Sequence, residues 1–130
     1  MKSELFYLAL VTAFTGLMWL PYTLDRILVR GLLDAVGYPE NPKPQSAWAQ
    51  RLIKAHANAV ENLVVFAPLV LVANASGVSG PAIATSAAVY FWARVAHAIV
   101  YTLRLPWLRT LAFAVGVCAE VCIAWHIFMR

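Results

Sequence analysis

Residues 51 to 71 read RLIKAHANAVENLVVFAPLVL, and the two halves of this stretch differ sharply in polarity. The second half is apolar enough to lie in a lipid bilayer. At about 100° per residue, the polar side chains of the first half share one helix face within an arc of about 100°. These side chains are Arg51, Lys54, Asn58, Glu61 and Asn62. A charge in a bilayer is costly unless it is paired or faces water, so this face predicts a polar contact or a wet crevice.

The composition of the whole chain is that of a membrane protein. Hydrophobic residues make up 62% and charged residues only 12% of the 130 residues, whereas soluble domains are about one quarter charged. The net charge of +4 comes from basic residues at the ends of apolar runs, a pattern of membrane topology rather than of nucleic-acid binding. We predict one integral membrane domain over residues 1–130.

The apolar runs and the turn signals between them predict an all-α four-helix bundle. Residues 5 to 24 carry no charge and are long enough for an uncleaved transmembrane helix. The sequence NASGVSGP, residues 74 to 81, divides a long uncharged run into two spans. Ser46 follows a proline-rich loop and is a candidate N-cap. The predicted helices cover about residues 4–36, 47–75, 81–103 and 106–128.

Basic residues are concentrated on one side of the predicted bundle. That side holds loops 25–50 and 104–106, whereas the other holds only Lys2 and Arg130. The basic residues of the first side are Arg26, Arg30, Lys43, Arg51, Lys54, Arg104 and Arg109. Because cytoplasmic loops carry an excess of Lys and Arg, we predict that this side is cytoplasmic in an inner or cytoplasmic membrane.

A second polar face lies on the third predicted helix. Arg94, His97 and Tyr101 are spaced i, i+3 and i+7, which places them within about 60° of one another. Arg94 is the predicted ion-pair partner of Glu61, because both lie at a similar membrane depth. Two facing polar stripes predict a cationic pocket for a ligand with carboxylates and amides that approaches from the cytoplasm.

The two stripes carry a family resemblance. Residues 51–71 resemble the second-helix signature of the MAPEG family, the membrane-associated proteins in eicosanoid and glutathione metabolism. RVAHAIVYTLRLPWLRT, residues 94–110, is similar to the third-helix and turn motif of the same family, closest to its microsomal prostaglandin E synthase and glutathione transferase branch. The resemblance implies four-helix subunits assembled as homotrimers, with glutathione bound between neighbouring subunits.

The resemblance also implies roles for individual residues. Asn58 and Glu61 would hold the amino and peptide groups of glutathione, and Arg109 would lie beside its sulfur. Phe113 stands where some members of the family have a tyrosine. An arginine at the end of helix one, Arg26 or alternatively Arg30, would also contact glutathione. The predicted site therefore comprises catalytic Arg109, substrate-binding Arg26, Arg51, Lys54, Asn58, Glu61, Arg94, His97, Tyr101 and Thr110, and no metal.

These expectations together predict a function and leave two alternatives open. An arginine beside a thiol stabilises the thiolate, so we expect a membrane-bound glutathione-dependent transferase or peroxidase that acts on a lipophilic electrophile. One alternative is a non-catalytic membrane protein of the same fold that binds lipid or scaffolds a partner. The other is a structural bundle whose ion pairs only set the helix register. Glu120, in the middle of the fourth helix, is expected at a helix contact, with a proton-relay role as the less favoured reading.

Overall fold

The computed structural model describes residues 1–129, which leaves Arg130 outside the described residues. Every regular element among them is helical. The elements in chain order are α1 (Ser3–Leu17), α2 (Trp19–Arg30), α3 (Leu32–Val36), α4 (Ala47–Ala75), α5 (Pro81–Thr102) and α6 (Pro106–Phe128). The described chain is therefore all-α, as predicted.

Four segments of the described chain are long and apolar enough to cross a membrane, as predicted. They are Ser3–Arg30, Ala47–Ala75, Pro81–Thr102 and Pro106–Phe128. An even number of spans places the start of α1 and the end of α6 on one side of the bundle. The segment between α2 and α4 and the turn between α5 and α6 lie on the opposite side, which is the side with most of the basic residues.

The first span is interrupted twice, which corrects the prediction of one helix over residues 4–36. Pro21 has no N–H to donate to the carbonyl of Leu17, and the chain passes through a turn at Met18 between α1 and α2. The second interruption is at Gly31, whose φ of 80° lies in the left-handed region and ends α2 after Arg30. Hydrophobic periodicity detects neither break, because both depend on backbone geometry.

The segment between α2 and α4 is held against α2 by the side chain of Asp25. This buried carboxylate accepts hydrogen bonds from the backbone N–H of Ser46 at 3.0 Å, from the Ser46 hydroxyl and from Gln45 Nε2 at 3.2 Å. Ser46 does occupy the N-cap position of α4, but its hydroxyl bonds Asp25 and makes no side-chain cap to α4. The start of α4 is thus fixed relative to α2 by three hydrogen bonds to one charged group.

The four spans pack so that α4 and α5 each contact both α1 and α6. Near the termini the core contains large side chains, with Phe66 and Tyr90 stacked at a centroid distance of 3.7 Å. Toward the α5–α6 turn the core contains small residues, among them Ala55, Ala59 and Ala98. The small residues bring α4 and α5 close together at the level where the two polar stripes lie.

Candidate functional site

Arg94 connects the polar stripe of α5 to that of α4. Its side chain is only 2% exposed. Nη2 donates to Asn58 Oδ1 at 2.7 Å and also lies 3.4 Å from His97 Nδ1. Asn62 Nδ2 donates to the Asn58 carbonyl at 2.9 Å. Asn58 is therefore held in place from both helices.

A cavity of about 240 Å³ lies beside this contact, at the junction of α4, α5 and α6. We name it the amide cavity, because Asn58 lines it. Its lining residues are Asn58, His97, Tyr101, Arg109, Thr110 and Phe113. Five of these six residues belong to the site predicted from the sequence.

A second cavity, of about 400 Å³, continues from the first, since Tyr101 and Arg109 line both. We name it the arginine cavity. Its remaining lining residues are Arg51, Arg104, Leu105 and Pro106. Neither cavity has an acidic residue in its lining, so the three guanidinium groups make the arginine cavity electropositive.

Two of the cavity arginines are oriented by contacts within the subunit. Arg51 Nε donates to the carbonyl of Thr102 at 2.8 Å, which ties α4 to the end of α5. The guanidinium carbon of Arg109 lies 4.7 Å from the centroid of the Tyr101 ring, within cation–π range. The Tyr101 ring therefore holds the positive charge of Arg109 at the boundary between the two cavities.

The predicted ion pair between Glu61 and Arg94 is not present within the described chain. Arg94 turns to Asn58 instead, and Glu61 is exposed on α4. Asn58 and Glu61 are three residues apart, so their side chains point about 60° apart around α4. Asn58 therefore faces α5, whereas Glu61 lies on the outer surface.

Four of the predicted site residues line neither cavity: Arg94, which is buried beside the amide cavity, and Lys54, Glu61 and Arg26. Lys54 is exposed, as Glu61 is. Arg26 lies in α2, and its Nε donates to Oε1 of Gln45, in the segment before α4, at 3.1 Å. The alternative, Arg30, donates from Nε to the carbonyl of Lys43 at 2.8 Å. Within the chain, both arginines therefore donate hydrogen bonds to the segment between α2 and α4.

Sequence reasoning missed two further contacts. Tyr22 and His56, which are not part of the predicted site, are joined by a hydrogen bond of 2.8 Å between Oη and Nδ1. The cluster of Asp25 with Gln45 and Ser46 was also missed. Both contacts join residues far apart in the chain, and no periodic pattern pairs such residues.

The geometry of these cavities can be compared with known protein families. The sequence model of the MAPEG family matches residues 6–129. The chain belongs to the MAPEG family. MAPEG proteins are membrane glutathione-dependent enzymes. No curated protein and no solved structure matches the chain.

Most residues that line the amide cavity belong to the two sequence motifs that resemble those of the MAPEG family. The two motifs that carry the resemblance contribute Asn58 from α4 and His97, Tyr101, Arg109 and Thr110 from the α5–α6 hairpin. They lie about 40 residues apart in the chain and meet because α4 packs against α5. The assignment to the prostaglandin synthase and glutathione transferase branch stays a prediction.

Proposed function

We propose that the protein is a membrane-bound glutathione-dependent transferase or peroxidase that acts on a lipophilic electrophile. The observation that carries this proposal is the meeting of two cavities at Arg109 and Tyr101, one lined by arginines and the other by amide and imidazole groups. Glutathione combines carboxylates, amides and a thiol, and this lining offers a partner for each group.

The donor groups of the two cavities fit glutathione. Arg51 and Arg104 are placed to bind a carboxylate, since a guanidinium presents a planar fork of donors. Asn58 and His97 are placed to bond amide groups in the amide cavity. Cavities of about 240 and 400 Å³ are comparable with small-ligand sites of roughly 300–1,000 Å³.

Arg109 is the catalytic residue in this proposal. When glutathione is bound, it supplies a thiolate that bonds to an electrophilic carbon as that carbon releases its leaving group, or that reduces a peroxide to an alcohol and water as a second glutathione closes the disulfide. Arg109 is a permanent cation, and its charge favours this thiolate. The Tyr101 ring contacts the Arg109 guanidinium and restrains its position. Thr110 is adjacent in the same cavity and offers a hydroxyl donor to the sulfur.

Apolar groups surround Arg109 and favour a lipophilic second substrate. Phe113 lines the amide cavity, and Leu108 and Leu111 are exposed on the same helix. Since α6 is a candidate membrane span, a substrate dissolved in the bilayer can approach Arg109 along these side chains.

The outer surface of α4 supports assembly into a homotrimer. Glu61 is exposed on a membrane span and lies among the exposed side chains of Val60, Val64 and Val65. A carboxylate facing lipid is costly, so we place this face against a neighbouring subunit. Lys54 and Arg26 would then reach glutathione across the subunit contact, with the arginine cavity on the cytoplasmic side.

Heat stabilisation by glutathione tests binding directly. A ligand that binds the folded state raises its stability by RT ln(1 + [L]/Kd), so millimolar glutathione should raise the melting temperature of the purified protein. Lys43→Ala is a matched control, since this variant removes an exposed cation outside both cavities. The absence of any stabilisation would overturn the proposal in favour of a non-catalytic scaffold.

Arg109→Ala tests catalysis. The variant should lower the rate of glutathione conjugation to a model electrophile by roughly 10²-fold or more, a loss typical for removal of one electrostatic stabiliser. Oligomer size should be unchanged, because Arg109 lies on α6 and the subunit contact is proposed on the outer face of α4. Conjugation at the rate of the unchanged protein would show that Arg109 does not stabilise the thiolate.

A further inference from the structure

Three polar side chains bury unpartnered atoms behind the amide cavity, between α5 and α6. Arg94 has Nε and Nη1, Tyr90 has its hydroxyl and Glu120 has Oε1 without a described hydrogen-bond partner. All three residues are buried, with exposed fractions of 2%, 0% and 8%. The atoms are chemically complementary, because the guanidinium only donates, the hydroxyl donates or accepts, and the carboxylate accepts.

A close approach of α6 to α5 brings this group together. A Cβ at Gly116 would lie 3.9 Å from Arg94 Cδ and 3.8 Å from Tyr90 Cδ2, so α6 lies directly against the Arg94 side chain. Glu120 is one turn further along the same face of α6. Glu120 and Arg94 therefore lie on the facing sides of α6 and α5.

Arg94 needs a negative counter-charge at this depth. A guanidinium stays protonated in proteins, and its described partners, Asn58 and His97, carry no negative charge. The buried acidic residues of the described chain are Glu4, Asp25 and Glu120. Glu4 lies at the opposite end of the bundle, and Asp25 is bonded to Gln45 and Ser46.

We propose that Glu120 is the counter-charge of Arg94 and, through it, a positioning residue for the glutathione site. Nη1 and Nη2 point to different sides of the planar guanidinium, and Nη2 reaches Asn58. A negative charge at Glu120 attracts the unpartnered Nη1 side of the guanidinium and thereby keeps Nη2 directed at Asn58 Oδ1. Glu120 touches neither cavity and acts only through Arg94. This inference rests on the proposed function.

Glu120→Gln tests the positioning role, because the substitution keeps the shape and removes the charge. The glutathione KM should rise about tenfold while kcat changes less than threefold, and Glu120→Asp should restore most of the affinity. Glu4→Gln is the matched control, since it neutralises another buried carboxylate with an unpartnered Oε1. A purely structural role of Glu120 would lower the amount of active protein in both Glu120 variants and leave KM unchanged.

A double-mutant cycle tests the charge pairing without glutathione. Arg94→Gln and Glu120→Gln are made singly and together, and the melting temperature of each purified protein is measured. If the residues are counter-charges, the double variant should melt higher than the sum of the two single losses predicts. Additive losses would overturn the pairing. If the cycle shows coupling between Arg94 and Glu120 but the protein does not bind glutathione, only the proposed function is overturned.

Discussion

At the scale of single residues, the proposed glutathione site depends on Arg94, a buried cation that lines neither cavity. Arg94 is enclosed between α4, α5 and α6, and its contact with Asn58 orients a side chain that does line the amide cavity. Buried polar groups of this kind are costly when any member loses its partner. The residues behind the site are therefore expected to be as sensitive to substitution as those within it.

Asn58→Ala should destabilise the protein even without glutathione. The substitution leaves Arg94 Nη2 without its 2.7 Å acceptor in a buried position, which costs roughly 1–3 kcal/mol. Thermal denaturation in detergent measures the effect. Asn74→Ala, near the other end of α4, is the control and should change the melting temperature much less. Equal losses of melting temperature in both variants would show that the hydrogen bond between Asn58 and Arg94 does not stabilise the protein.

The sequence predicts which residues share one face of a helix. It does not predict which residues of two different helices contact each other. The register of Arg94, His97 and Tyr101 follows from periodicity, and His97 and Tyr101 do line one cavity. The predicted partner of Arg94 was wrong, because Asn58 and Glu61 lie one turn apart and only the packing angle of α4 on α5 determines which faces inward.

At the scale of elements, Asp25 controls the entry into α4. Its carboxylate accepts hydrogen bonds from Gln45 and Ser46 and thereby joins α2 to α4. Arg26 donates to the same Gln45 side chain. The position of the arginine proposed to reach a neighbouring subunit is therefore set by the segment that precedes α4.

Asp25→Ala should loosen this segment. Hydrogen bonds to charged groups contribute about 1.5–3 kcal/mol each, so their loss should speed protease cleavage between residues 37 and 46 severalfold. Asp34→Ala, which removes an exposed carboxylate from α3, should leave cleavage unchanged. In sealed inside-out vesicles, cleavage by added protease should occur only if the segment is cytoplasmic, which tests the orientation as well.

At the scale of the whole molecule, the outer surface of the chain favours the proposed self-association. Its outer surface exposes many large hydrophobic side chains, as a membrane span must. Glu61 is the exception on α4, since it places a carboxylate among exposed valines. The homotrimer implied by the family resemblance would cover this group and supply a cation from the neighbouring chain.

Glu61→Ala should therefore weaken the assembly. A native mass spectrum in mild detergent should show a species three times the mass of the 14.3 kDa chain, and the variant should shift toward monomer. Glu40→Ala removes an exposed carboxylate from the segment before α4 and should leave the trimer intact. A monomeric unchanged protein would contradict the trimer, and an equally trimeric variant would contradict the role of Glu61.

Composition and periodicity are sufficient to establish an all-α membrane protein, the number of its spans and the residues that share a helix face. These properties are local, because they follow from the hydrophobicity of 20-residue windows and the 3.6-residue turn. The packing of α4, α5 and α6 supplied the rest: Asn58 as the partner of Arg94, the cavities on either side of Tyr101, and Glu120 behind them. Such contacts join residues up to about 60 positions apart, and their geometry depends on how closely small residues such as Gly116 and Ala59 let the helices approach.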